Sequence, residues 1–248
     1  MTIDLDTLGP DAIAARLAGS PAERAALVRS GAEAGVAEAQ AVYGQMLLDG
    51  TGVAADARAA FGWFNKAAAQ HHVMALNMVG RCYDLGWGTA PDKACAADCY
   101  RIAAARGLDW AMYNYATLLA LGDGVAEDKA AALGWLEKVA ATGTGPAAAK
   151  AINVVGSFHE DGWVVARDLA VAADCYARAA VGGDFRGQFN HARLLGEAGR
   201  IDEALTWLAR VGETATPAFV DKAAAWLAAA AVPRFSTEGV AALRSGAR

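Results

Sequence analysis

The sequence predicts an all-α protein built as an array of stacked helical hairpins, and three observations lead to that fold class. The 248-residue chain is 55% hydrophobic and 20% charged, and its Ala-rich composition favours helix. The segment 75–107 is found again when the chain is shifted by 36 residues in either direction. Within each copy, apolar residues recur at helical spacing on both sides of a glycine turn. Each hairpin has one apolar face that only a neighbouring hairpin can cover, which is typical of repeat arrays with capped ends.

The opening segment, 1–34, is predicted to be a degenerate capping hairpin. Its helices should run from about Leu8 to Leu17 and from Pro21 to Ala34, with Ser20 as the N-cap of the second. Four repeat units follow, and the last has four additional residues at its start, around 144–147. Their boundaries are 35–71, 72–107, 108–143 and 144–183.

The end of the chain departs from this repeat. A shorter hairpin is predicted at 184–215, and two capping helices at 216–248. The first of these should run from Pro217 to about Val232, and the second should begin at Ser236. We expect the whole chain to form a single solenoid domain.

A glycine inside the first helix of the hairpin is informative, because a mid-helix Gly costs about 1 kcal/mol relative to Ala. Only small residues occupy this place, which predicts a close approach of two helices there. The positions are Gly44, Gly80, Ala116 and Gly156. Nearby aromatic residues are expected to fill the wider gaps as core; they are Trp63, Tyr100, Trp135 and Tyr176.

Charge and hydropathy argue against nucleic-acid binding and against membrane insertion. The net charge is −5, and there is no run of Lys or Arg that could follow a phosphate backbone, so we expect no nucleic-acid partner. No apolar stretch reaches the roughly 20 residues that span a bilayer, and the acidic start lacks the apolar core of a signal peptide. We therefore expect a cytoplasmic protein without membrane insertion.

The four cysteines form no CxxC pair and should be reduced, although a Cys82–Cys95 bridge stays open for an exported protein.

Signals of catalysis and of metal binding are weak. The four histidines show no metal-ligand spacing with a nearby acid or thiol, and no Ser or Cys lies in a recognisable nucleophile turn. We predict no enzymatic activity, no catalytic residues, no metal site and no cofactor.

The glycine turns carry a resemblance to a known family. Gly122-Asp-Gly124-Val125, followed by Asp128-Lys129-Ala130, and Gly50-Thr-Gly52-Val53 resemble the Sel-one-like repeat (SLR), a relative of the tetratricopeptide repeats. The resemblance covers about 35–183, and 184–215 is more similar to a plain tetratricopeptide hairpin. Val164 departs from it at the second turn glycine, as do Cys99 and Cys175 at a Trp position.

The resemblance implies a right-handed superhelical solenoid whose concave face is lined by the first helix of each hairpin. It also implies a bacterial, non-catalytic scaffold or adaptor that binds a protein or peptide. Transferring the groove positions by the repeat register predicts the partner-binding residues. They are Gln45, Asn77, Arg81, Asp84, Trp110, Tyr113, Thr117, Lys150, Asn153, Ser157, Arg186, Phe189 and Arg193.

The chemistry of these residues indicates the kind of partner. Asn77 and Arg81, one turn apart, could hold a peptide backbone or a carboxylate, and Trp110 and Tyr113 could form an aromatic anchor beside them. We therefore expect a peptide with an acidic group or a free C-terminus.

Another class of function stays open at this point. The chain could be a structural or regulatory subunit that acts through self-association or its outer surfaces, including as an accessory protein of a transport or iron-uptake locus. We expect a monomer or a weak homodimer, which light scattering would distinguish from a tight dimer.

Overall fold

A computed structural model describes residues 9–246, and within them every regular element is an α-helix. The predicted start of the first helix at Leu8 lies outside the described residues. The helices are α1 Pro10–Ala18, α2 Pro21–Glu33, α3 Ala37–Asp49, α4 Ala57–Ala69, α5 Val73–Leu85, α6 Lys93–Ala105, α7 Asp109–Leu121, α8 Lys129–Thr142, α9 Gly145–Asp161, α10 Leu169–Val181, α11 Phe185–Glu197, α12 Ile201–Thr214, α13 Pro217–Ala228 and α14 Pro233–Gly246.

The all-α class built from stacked hairpins is confirmed. Contacts divide the chain into two compact units, the first ending at Asp128 and the second beginning at Lys129. In unit 1, each helix from α1 to α6 packs against the next one along the chain. In unit 2, the same holds from α8 to α11, and α14 packs against both α12 and α13.

The two last helices have different bounds from those predicted. Helix α13 ends at Ala228, where the prediction continued to Val232, and α14 begins at Pro233 instead of Ser236. Proline fits the first turn of a helix because its missing N–H has no partner to bond there. The earlier start also lets Phe235, only 1% exposed, pack into the core with Leu208.

Side-chain caps begin several of the helices, and the predicted cap Ser20 is one of them. Ser20 and Glu23 form a reciprocal capping box at the start of α2. The carboxylates of Asp56, Asp92 and Asp168 accept hydrogen bonds from the first-turn N–H groups of α4, α6 and α10. These bonds satisfy backbone donors that the helix itself leaves unpaired.

The second glycine of each turn in unit 1 fixes how one hairpin stacks on the previous one. Gly52, Gly88 and Gly124 have φ of 71°, 71° and 73°, a conformation that favours glycine. A Cβ added at Gly88 would lie well under 3.0 Å from the carbonyl oxygen of Ala57, at the start of α4. Gly52 and Gly124 approach the starts of α2 and α6 just as closely. Each of these three turns is therefore in backbone contact with the preceding hairpin.

The glycine inside the first helix faces an aromatic ring of the second helix. A Cβ at Gly44, Gly80 or Gly156 would lie 2.7, 2.7 and 2.8 Å from the Cε1 atoms of Phe64, Tyr100 and Tyr176. Tyr100 and Tyr176 are core residues, as predicted. For Trp63 and Trp135 the prediction is wrong, because the next residue along the chain fills the core position. Phe64 and Leu136, each 1% exposed, hold that position, while both tryptophans are half-buried.

Candidate functional site

A cleft of about 360 Å³ lies between the first helices α5 and α7 of unit 1. It contains three of the residues that the repeat register predicts for partner binding, namely Asn77, Arg81 and Trp110. The remaining lining residues are Met74, Met78 and Asn114. The cleft thus combines thioether and indole surface with two amides and one guanidinium.

Arg81 is the only positive charge among the lining residues of this cleft. Its guanidinium carbon lies 4.7 Å from the centre of the Trp87 ring, and its Nη1 lies 3.8 Å from the sulfur of Met78. Within the described part of the chain no carboxylate is paired with it. A guanidinium held against a ring and lacking a counter-ion keeps its planar donor fork available to an anion.

Two asparagines, one from each helix, form a side-chain pair in the cleft. Asn114 Nδ2 on α7 donates to Asn77 Oδ1 on α5 at 3.1 Å. Asn77 is only 2% exposed, so this bond satisfies the acceptor of a buried amide. The pair fixes the orientation of both amides at the base of the cleft.

Four other predicted residues of unit 1 are not brought into the cleft. Gln45 donates to Asp49 at 2.7 Å, and the Thr117 hydroxyl donates to the carbonyl of Tyr113 at 2.9 Å. The Tyr113 ring packs edge-on against Trp110 with ring centres 6.4 Å apart, as the aromatic anchor requires, but Tyr113 does not line the cleft.

Asp84 is the fourth, and its carboxylate joins α5 to α6. It is paired with Lys93 and accepts a hydrogen bond from the hydroxyl of Tyr100 at 3.2 Å. Burial, together with the charge of Asp84, raises the pKa of Tyr100 above its usual value. Asp84 therefore has a packing role within its own hairpin.

Unit 2 repeats the amide pair. Asn190 Nδ2 on α11 donates to Asn153 Oδ1 on α9 at 2.9 Å. Ser157, one turn further along α9, accepts from the Tyr176 hydroxyl at 3.3 Å. Both predicted residues, Asn153 and Ser157, are thus bonded inside the unit.

Arg193 is also held inside unit 2. One of its nitrogens lies 2.7 Å from each carboxylate oxygen of Glu160, which also accepts from Tyr176 at 2.6 Å. Burial opposes the charged form of Glu160, but the bonds from Tyr176 and Arg193 outweigh it and lower the pKa of that carboxyl. This network joins α9, α10 and α11.

Three predicted residues of unit 2 belong to one cluster of aromatic side chains. Lys150 and Arg186 lie 5.6 and 4.6 Å from the centre of the Phe185 ring, and Lys150 Nζ is 3.6 Å from the buried carboxylate of Asp184. Phe189 packs edge-on between Phe219 and Trp226 at 5.6 Å from each.

Sequence reasoning missed Asn114 and Asn190. The signal was present, because Asn77 and Asn114 are separated by 37 residues and Asn153 and Asn190 by the same 37. A spacing of one repeat plus one residue places two amides on neighbouring first helices at facing positions.

Three further findings concern the described residues as a whole. Residues 9–246 hold no group of three or more His, Cys, Asp or Glu side chains suited to a metal ion. Over the same range no helix is both long enough and apolar enough to cross a membrane. Cys82, Cys95, Cys99 and Cys175 are free thiols.

The fold and the cleft together define a helical-hairpin repeat protein of the kind that generally serves as a protein-interaction scaffold. The Sel1 repeat matches at 37–72, 73–108, 111–143 and 149–184, which is more than half of the chain. The chain belongs to the Sel1 repeat family, and the resemblance read from its glycine turns is confirmed.

Solved structures of bacterial proteins have the same fold. A protective antigen of uropathogenic Escherichia coli with an SLR fold aligns with a TM-score of 0.69 and 23% identity over 96% of this chain and 52% of its own. This chain thus spans about half the length of that protein. A Sel1 repeat protein from Oxalobacter formigenes aligns with a TM-score of 0.68 and 25% identity, over 86% of this chain and 85% of its own.

A more distant likeness is to the immunity protein Pa5087 from Pseudomonas aeruginosa. Its TM-score is 0.55 at 16% identity, over 82% of this chain and 75% of its own. At this identity the likeness is one of fold. Among curated proteins, no sequence matches the chain.

Proposed function

We propose that the protein is a non-catalytic scaffold that holds a peptide or protein segment by a carboxylate in the cleft between α5 and α7. The observation that carries this proposal is the guanidinium of Arg81, which is held on Trp87 with no carboxylate partner in the described chain. The carboxylate would belong to an acidic side chain or to a free C-terminus.

The other groups of the cleft support the same partner. Asn77 uses its oxygen to accept from Asn114, so the amide nitrogen of Asn77 is left to donate to the ligand. Met74, 42% exposed, and the half-buried Trp110 offer apolar surface to the residue beside the carboxylate. A ligand with a carboxylate next to an apolar side chain would therefore match both the hydrogen-bond donors and the apolar surface of the cleft.

The site of action is part of the proposal. We propose a cytoplasmic protein, and the four free thiols are consistent with a reducing compartment. The partner-binding role of residues in unit 2, including Arg186 and Phe189, stays a prediction.

Fluorescence anisotropy with labelled random decapeptides tests the proposal. Three pools are compared: free C-terminal acids that contain Asp and Glu, C-terminal amides that contain Asp and Glu, and amides in which Asn and Gln replace both acids. The proposal expects at least one pool with carboxylates to bind about tenfold more tightly than the pool without them. Equal binding of all three pools would refute it.

Arg81→Gln should remove that preference, because it keeps hydrogen-bond donors but not the charge. The matched control is Arg101→Gln, since Arg101 is an exposed arginine of α6 in the same unit, outside the cleft. A preference that survives Arg81→Gln would place the anion site elsewhere.

A further inference from the structure

A second cavity, in unit 2, has a different chemistry. It measures about 330 Å³ and is bounded by the ends of α11 and α13 and by the segment between α13 and α14. Its lining is Glu197, Trp226, Phe235 and the apolar run 229–232. The cavity therefore offers two aromatic rings, an aliphatic wall and one carboxylate.

The Trp226 ring differs from most tryptophan rings of this chain in its surroundings. Five of the seven tryptophans have a cation of this chain over the ring, at 3.9 to 5.7 Å from its centre. Among the described residues, Trp110 and Trp226 have none. Trp226 is 39% exposed and is fixed edge-on against Phe189 and Phe235. Its exposed ring surface lines the cavity and is available to a cation that the described residues do not supply.

The Glu197 carboxylate is the one acidic group that lines the cavity. Its side chain is 50% exposed, and its one ion pair within residues 9–246 is a 3.5 Å contact with Arg193. Arg193 is already engaged by Glu160 at 2.7 Å through another nitrogen. Glu197 therefore keeps most of its capacity to bind a positive group beside Trp226.

We infer that this cavity binds an alkylammonium group, supplied by a lysine side chain of a partner protein. The ammonium lies between Glu197 and the face of Trp226, and the aliphatic stem lies along 229–232. The site is separate from the carboxylate cleft of unit 1 and does not depend on it.

NMR spectroscopy of the ¹⁵N-labelled full chain tests the charge requirement. The probe is n-butylammonium chloride, the neutral control is 1-butanol, and the indole N–H signal of Trp226 is assigned by its loss in Trp226→Phe. We expect a saturable shift with the ammonium ion and, at equal concentration, less than about a fifth of it with the alcohol. Equal shifts would overturn the inference, because the cavity would then recognise only apolar groups.

Glu197→Gln tests the carboxylate without removing bulk. Because Glu197 is half exposed, we expect the chain to fold and to bind n-butylammonium about three- to fivefold more weakly. The matched control is Glu213→Gln, an exposed carboxylate of α12 that does not line this cavity, and it should bind as the parent chain does. Unchanged binding in Glu197→Gln would overturn the inference.

The source of the ammonium is tested by competition. Acetyl-Gly-Gly-Lys-Gly-Gly-amide should displace n-butylammonium, while the same peptide with norleucine for lysine should not. Failure of the lysine peptide to compete would overturn the assignment to a protein lysine. Arg81→Gln should leave all these results unchanged, so failure of the carboxylate cleft is distinguishable from failure of this site.

Discussion

Gly88→Ala is the substitution that tests most sharply how the hairpins stack. The residue has φ of 71°, and an added Cβ would lie well under 3.0 Å from the carbonyl oxygen of Ala57 in the preceding hairpin. That oxygen belongs to the backbone at the start of α4, so it cannot move away as a flexible side chain could. The substitution should therefore separate the two hairpins locally.

The loss of folding free energy in Gly88→Ala has two parts. A left-handed backbone costs alanine about 1 kcal/mol, and the forced separation adds about 2 kcal/mol, as overpacking of a close contact typically does. The sum of about 3 kcal/mol corresponds to a fall in Tm of roughly 6–12 °C for a chain of this size.

Gly107→Ala is the matched control. Gly107 has φ of 89°, but nothing lies within 4 Å of an added Cβ. It should lose only the backbone cost of about 1 kcal/mol, or roughly 2–4 °C. Both are measured by thermal unfolding followed by circular dichroism. A Gly88→Ala variant no less stable than Gly107→Ala would refute the stacking argument.

Three further changes give separate tests. Val164→Gly should raise Tm by roughly 2–4 °C, because the β-branched residue has φ of 54° and is 56% exposed, so strain is lost at little cost in burial; a lower Tm would contradict this. The pKa of Glu160 is lower in the folded chain than in the unfolded chain. Ionised Glu160 therefore stabilises the fold above its unfolded pKa, and this stabilisation is lost as the pH falls through its folded pKa. Glu160→Gln should therefore be less stable at neutral pH and should lose less stability between about pH 5 and 3, measured by urea unfolding; parallel pH profiles would disprove this. Burial of Cys82 and partial burial of Cys99 raise the pKa of each thiol to about 11. At pH 8 both thiols should therefore react with a disulfide reagent at least about tenfold more slowly in the native chain than in urea, and equal rates would contradict the raised pKa values.

The repeat register was the part of the fold that the sequence made most accessible. A period of 36 residues with glycine at fixed offsets predicts hairpins, their turns and the small residues at Gly44, Gly80 and Gly156. It does not decide which of two adjacent aromatic or apolar residues faces that glycine. Rotation of the second helix by one residue exchanges Trp63 with Phe64, and only the packed neighbours select Phe64.

The candidate site was predictable to a smaller extent. Helical periodicity places Asn77, Arg81 and Asp84 on one face of α5. It does not determine which side chains of the neighbouring helices contact them. Lys93 and Tyr100 of α6 contact the carboxylate of Asp84, while no carboxylate of the described residues pairs with Arg81. The difference depends on distances between helices, which a single helical pattern does not contain.

Photo-crosslinking from two positions tests most directly whether a partner lies on the first helices. Met74 is 42% exposed at the cleft on α5, and Ile102 is 38% exposed on the second helix α6. Each is replaced in turn by benzoylphenylalanine, and the chain is irradiated with the pool of labelled peptide acids. The label should be transferred to the Met74 variant, Arg81→Gln should weaken this transfer about tenfold, and the Ile102 variant should not be labelled. Labelling of the Ile102 variant alone would contradict it and would favour binding through the outer surface.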